Sequence, residues 1–319
     1  MQDNWIQLIF KHKAYTPEER KIIHYLKDNY KTIAAIYMLN TRYEDEALNK
    51  GCPFLSVSAD DDKYIYSSTK GAFYLNARCN DGMQTEALAS MLAICRQAAK
   101  YGFTTEEFNR FKDEYISLLE NSLMSAEKRT SKGLARECYC NYLYGTDLSP
   151  VEDFVAIMKQ IVETVPLDSI NFRMSKLLPN NDDNMAIVNW NVDKKGLVYP
   201  TKKALRKALR KGRKLPITPY VDSLHDARLI SEEPIGGDIV SQTENDNIGY
   251  KRLLLSNGAK VLLRHTDIEK SQVLFKAYGN AGWTMYGCED DPNRLLFNSV
   301  MFGNNGYTTS QVNKILSGK

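Results

Sequence analysis

Alternating apolar and polar positions open the chain. "WIQLIF" predicts a short strand with Trp5, Gln7 and Ile9 on one face. The pattern then lengthens to a helical period, with Ile22, Ile23, Leu26, Tyr30, Ile33, Tyr37 and Met38 forming the stripe of one buried helix face. Thr16 as N-cap, Pro17 at the first helical position and Glu19 closing a capping box mark its expected start. Period two returns in "FLSVSA", "YIYSST" and "AFYLNARC", three strands expected to be separated by the turn-rich "DDDK" and "KG". This order predicts an antiparallel meander covered on one side by helices.

From Gly82 to Leu178 the pattern is almost wholly helical. "GMQTEALASMLAICRQAAKYG" reads as one helix stopped by Gly102, and "TTEEFNRFKDEYISLLENSL" opens with Thr104 and Glu107 at capping-box spacing. Helices follow in "AEKRTSKGLARECYCNYLYG", in "SPVEDFVAIMKQIVETV" with Ser149, Pro150 and Glu152 as a capped start, and in "PLDSINFRMSKLL". "NMAIVNW" returns as a strand. Residues 1–195 therefore read as one α+β domain, an antiparallel β-sheet layered with α-helices.

Residues 196–245 differ in character. Pro200, Pro216, Pro219 and Pro234, with Gly212, Gly236 and Gly237, break them into the short pieces of a linker. Inside lies "KKALRKALRKGRK", residues 202–214, in which eight of thirteen residues are basic and Leu205, Ala208 and Leu209 form a narrow apolar stripe. Two apolar runs then flank Asn257-Gly258, which predicts a hairpin with positive φ at both residues. A further strand is expected in "QVLFKAYGNAGW". The hairpin reads as opening a second unit, residues 246–319, that is cut short.

With 43% apolar residues in 319, the chain has material for about two domains. The net charge of +3 is too small to predict a polyanionic partner from the total. No apolar run of about 18 residues is present, so no membrane span is predicted, and "MQDNWIQLIFKHK" lacks the pattern of a signal peptide. Six cysteines (Cys52, Cys79, Cys95, Cys138, Cys140 and Cys288) are scattered without a disulfide or zinc spacing and are expected to be buried or half-buried thiols. His12, His24, His225 and His265 have no partner at metal-ligand spacing and are expected to serve on the surface or as caps. The basic helix is read as a linker helix whose stripe packs on a neighbouring domain, in preference to a footprint for nucleic acid or anionic membrane.

Four stretches carry a resemblance: "YMLNTRYEDEALNKGCPFLSVSA", "YGFTTEEFNRFKDEYISLLE", "LYGTDLSPVEDFVAIMKQIVETVPLDSIN", and "LLLSNGAKVLLRHTD" followed by "QVLFKAYGNAGW". Together they resemble the pitrilysin/insulinase-type zinc metallopeptidases, the inverzincins. The resemblance implies that residues 1–195 are the second, non-catalytic domain, residues 196–245 the linker, and residues 246–319 the truncated start of the third domain. It implies zinc and a His-x-x-Glu-His motif in a first domain that this chain lacks. No such motif occurs here, and "PNRLLFNSVMFG", where an active copy would display it, has neither His nor Glu. No residue of this chain is therefore assigned a catalytic, metal or cofactor-binding role. The expectation is a fragment forming chamber wall and linker, whose partners are the rest of the parent chain and peptide substrates. Self-association through the truncated C-terminal strands is a further expected contact, nucleic acid is not expected, and the parent is expected in the periplasm or cell envelope. The alternative is part of an inactive family member that serves as scaffold or partner subunit.

Overall fold

The computed structural model describes residues 4–67, 69–192, 194–222, 229–230, 232–245, 247–266, 273–279 and 306–316. The chain divides into two compact units, Met1–His225 with Leu316–Lys319, and Asp226–Ile315.

In the first unit, β1 (Asn4–Lys13), β2 (Phe54–Lys63), β3 (Lys70–Cys79) and β4 (Met185–Trp190) form an antiparallel sheet in the order β2-β3-β1-β4. Six helices accompany it: α1 (Ile23–Ala47), α2 (Gln84–Tyr101), α3 (Thr105–Met124), α4 (Ser131–Tyr144), α5 (Val151–Thr164) and α6 (Leu167–Leu177). A seventh, α7 (Lys202–Lys214), covers the basic stretch and lies along α2. The α+β reading of the sequence is borne out.

Period-two geometry places successive side chains on opposite sides of a sheet. Ile6, Leu8 and Phe10 of β1, and Phe73, Leu75 and Ala77 of β3, face the helices and share one core with Tyr30, Met38, Leu39 and Tyr43 of α1 and Leu88, Met91 and Cys95 of α2. Trp5, Gln7 and Ile9 point the other way, as their spacing predicts. Ile9 and Ala72 are buried on that side yet lie outside the core cluster. The sheet is thus covered by helices on one face and open on the other among the described residues of this unit. The open face carries Trp5 paired with Trp190, Gln7 donating to Asn76 Oδ1 at 2.5 Å, and half-buried Tyr74 and Arg78.

Three local expectations are corrected. The Thr16–Glu19 capping box forms, with Thr16 N donating to Glu19 Oε2 at 2.7 Å and Glu19 N to Thr16 Oγ1 at 3.2 Å. It caps only a 3-10 turn, Glu19–Lys21, because Ile22 is extended (φ −106°, ψ 148°) and restarts the helix at Ile23. Ile22 and Ile23 are consequently more than half exposed. The described residues of "YIYSST", 64–67 and 69, form no strand: β2 continues through Asp60, Asp61 and Asp62, and the loop holds Ile65 and Tyr66 in solvent. The aspartates join the ladder because Asp61 has a charged partner across the sheet. Finally, α5 starts after Pro150 with no side-chain cap, so Ser149 does not serve.

In the second unit, β5 (Ile239–Asn245), β6 (Tyr250–Leu255) and β7 (Lys260–Leu263) form an antiparallel sheet in that order. β5 arises within the stretch read as linker. The Asn257-Gly258 hairpin forms with a different turn. Only Gly258 has positive φ (82°), Gly258 N donates to Leu255 O, and Leu255 N donates to Ala259 O, a three-residue loop with glycine at the left-handed position. Val273–Gly279, the described part of the next expected strand, has no regular structure; the rest of it and "PNRLLFNSVMFG" lie outside the described residues. A short helix, α8 (Thr309–Leu316), follows.

Candidate functional site

The polar cluster at the hairpin end of the four-stranded sheet is built on one histidine. His12, near the end of β1, turns its ring across β3 to reach β2. Its register partner on β3 is Gly71, and a Cβ there would sit 2.5 Å from His12 Cε1. The missing side chain lets Nε2 meet Asp61 Oδ1 at 2.6 Å, while Nδ1 lies 2.9 Å from the Lys13 carbonyl oxygen. That carbonyl only accepts, so Nδ1 carries a proton, and the carboxylate takes the Nε2 proton as well. Both nitrogens are donors, which describes an imidazolium. The Asp61 hydrogen bond outweighs burial and raises the His12 pKa above its ordinary 6.5.

Arg173 of α6 extends the cluster. Its Nη2 is 3.8 Å from Asp61 Oδ2, and its Nε donates to Thr32 Oγ1 at 2.8 Å. These groups line a cleft of about 470 Å³ with Tyr15, Arg20, Lys63 and Tyr144. Arg20 donates to the Tyr144 carbonyl at 3.2 Å, at the end of α4, and Lys63 lies over the Tyr144 ring. Burial and the nearby Arg20 charge lower the Lys63 pKa. The cleft is cationic and tyrosine-lined. Chemically it offers anion and hydrogen-bond recognition, not general-base catalysis, because neither nitrogen of His12 is free to accept a proton.

A second charged cluster is buried. Arg42 of α1 donates from Nε to Glu107 Oε1 at 2.7 Å and from Nη2 to Glu107 Oε2 at 2.8 Å, and Nη2 also reaches the Gly102 carbonyl at 2.9 Å. Its guanidinium lies over the rings of Phe103 and Tyr220, 4.8 and 4.3 Å from their centroids. Glu107 also closes the capping box with Thr104. The "GFTTEE" stretch is therefore a structural corner that joins α2, α3 and α1.

The remaining sequence candidates separate. His24 Nε2 is 3.3 Å from Asp28 Oδ2 on the exposed start of α1. His12 departs from the expected surface or capping duty, and His225 lies outside the described residues. Cys79 and Cys95 are buried, with burial pushing each thiol up to about 12, and Cys52 and Cys140 are half-buried. Cys138 is exposed, against expectation, because α4 buries none of its residues. Cys288 lies outside the described residues. Among the described residues no three His, Cys, Asp or Glu side chains converge to hold a metal ion. The described residues therefore do not fit a zinc site. Nor, among the described residues, is any helix long and apolar enough to cross a membrane.

No family model matches the chain. "Zinc protease PQQL-like" of Arabidopsis thaliana is 20% identical over 219 residues, covering 69% of this chain and 23% of that protein. "Probable zinc protease PqqL" of Escherichia coli (strain K12) is 24% identical over 242 residues, covering 72% and 24%. The chain thus spans about a quarter of the length of these curated relatives. The crystal structure of the periplasmic protease PqqL from Escherichia coli superposes with a TM-score of 0.58 at 16% identity, over 85% of this chain and 29% of that one. A predicted insulinase family protease from Yersinia pestis gives 0.54 at 12%, over 66% and 44%. At these identities the structures establish a shared fold.

Proposed function

We propose that this chain is a non-catalytic portion of a pitrilysin/insulinase-type zinc metallopeptidase, and that its open sheet face forms part of the wall around a bound peptide. The premise is the resemblance read from the sequence, to which the zinc proteases matched in sequence and the insulinase-family protease sharing its fold both correspond. In this reading residues 1–195 are the second domain of the parent, residues 196–245 the linker, and residues 246–319 the opening of the third domain. Metal and peptide-bond hydrolysis belong to another part of the parent. The periplasmic location of the similar PqqL supports a place in the periplasm or cell envelope.

The observation that carries the reading is the one-sided sheet. An antiparallel sheet buries one face in its own core, and the other meets solvent or another surface. Here that second face mixes Trp5, Trp190 and Tyr74 with Gln7, Asn76 and Arg78. Aromatic and arginine side chains are enriched where proteins hold other chains, and the amide groups match peptide N–H and C=O. The test is an assay of the purified chain with added zinc and an internally quenched peptide. We expect no chelator-sensitive cleavage and no stoichiometric zinc; zinc-dependent turnover abolished by chelator would refute the non-catalytic assignment.

A further inference from the structure

We infer that the outward face of α7 is an electrostatic docking surface for an anionic lipid membrane. Eight of the chain's 42 basic residues lie in these thirteen positions, and without them the net charge of +3 becomes −5. The chain's net positive excess therefore comes from this helix, since the remaining 34 basic and 39 acidic residues sum to −5. Arg213 turns inward, donating to the carbonyls of Pro179 and Asn181 and pairing with Asp182 at 3.0 Å. The other seven, Lys202, Lys203, Arg206, Lys207, Arg210, Lys211 and Lys214, are all exposed. Among the described residues none of the seven has a carboxylate within 4.0 Å. At 3.6 residues per turn they fill an arc of about 180°, centred opposite the buried Ala208, Leu209 and Gly212.

This arrangement disfavours the helix itself. Like charges four residues apart, such as Lys202 and Arg206 or Lys207 and Lys211, each cost a few tenths of a kcal/mol, and cations in the first turn oppose the helix dipole. The helix is held regardless by its contact with α2, and Arg96 donates to the Gly212 and Leu215 carbonyls at its end. A rigid array of unpaired cations calls for an anionic surface. The apolar stripe is already used against α2, so the helix cannot insert among acyl chains, and adsorption to phosphate headgroups is electrostatic alone. The thirteen residues contain no aromatic or amide side chain to stack on or read bases. Lying along α2, the helix presents a broad patch and does not protrude as a rod able to enter a major groove.

The inference is independent of the peptide-wall reading and is tested without any peptidase assay. The full chain is floated with vesicles of phosphatidylcholine alone or mixed with phosphatidylglycerol, at about 0.05 M and about 0.3 M salt, across which the Debye length roughly halves. We expect binding only to the anionic vesicles, largely reversed at the higher salt. Replacing Arg206, Lys207, Arg210 and Lys211 with Gln should weaken it at least tenfold with a circular dichroism melt that is unchanged or slightly raised. The salt series on the unmodified chain reads the same property should that variant fold poorly. No binding at low salt, equal binding to neutral vesicles, salt-insensitive binding, or tighter binding to duplex DNA than to the anionic vesicles would overturn the inference.

Discussion

His12 joins three strands through one side chain, and its charge state follows from what its two nitrogens touch. Because the folded-state pKa is raised above 6.5, the protonated form is the one folding favours. Its contribution to stability is complete below the unfolded value and disappears as pH rises through the folded value. Thermal stability should therefore fall on going upward from neutral pH, and an NMR titration of the His12 ring should show a midpoint above 6.5 that drops in Asp61→Asn. An unshifted midpoint in the unmodified chain would contradict the ion pair. Gly71→Ala should have the same effect on the midpoint, because the new methyl occupies the ring's path, and should destabilise by about 1–3 kcal/mol as an overpacked site. The cysteines give a second residue-scale expectation. Cys138 should react with a thiol reagent in the native protein, while Cys79 and Cys95 react only on unfolding. Little of this was legible in the sequence. His12 and Asp61 are 49 residues apart, and a run of three aspartates reads as a turn until the cation opposite one of them is known.

At the scale of elements, capping chemistry marked the start of α3 but not those of α1 and α5. Thr104 and Glu107 cap α3 as their spacing predicts, and Thr201 caps α7, a cap not expected from the sequence. What remained hidden was tertiary. Glu107 is also the buried partner of Arg42, 65 residues away, a pairing that no spacing rule encodes. The side chains of both are 2–3% exposed. Glu107→Ala should cost about 3–5 kcal/mol, since it strands a buried guanidinium. Arg42→Met combined with Glu107→Leu should cost less than Glu107→Ala, as read from urea denaturation midpoints. The start of α1 shows the opposite limit. Its capping box forms as read, yet the extended Ile22 restarts the helix six residues beyond Pro17, leaving Ile22 and Ile23 in solvent. Helical spacing alone could not say which apolar residues would find a core.

At the scale of the molecule, the α+β layering followed from the order of patterns, and the four-stranded sheet needed only β1, the hairpin of β2 and β3, and β4. The one-sided covering by helices was expected from that order; what was not legible is that Ile9 and Ala72 are buried on the second face, because both are apolar and only the packing separates them from the core. That face carries the central claim. The most direct test is steady-state kinetics on the longer peptidase of which this chain is proposed to be a part, using Trp190→Ala and Tyr74→Ala. Tyr74 is half-buried and Trp190 is 38% exposed, so neither change opens the core. If the face lines the peptide, KM should rise several-fold for each variant while kcat and the melting temperature change little. Unchanged KM in both variants, with both folded, would contradict the placement of bound peptide against this sheet.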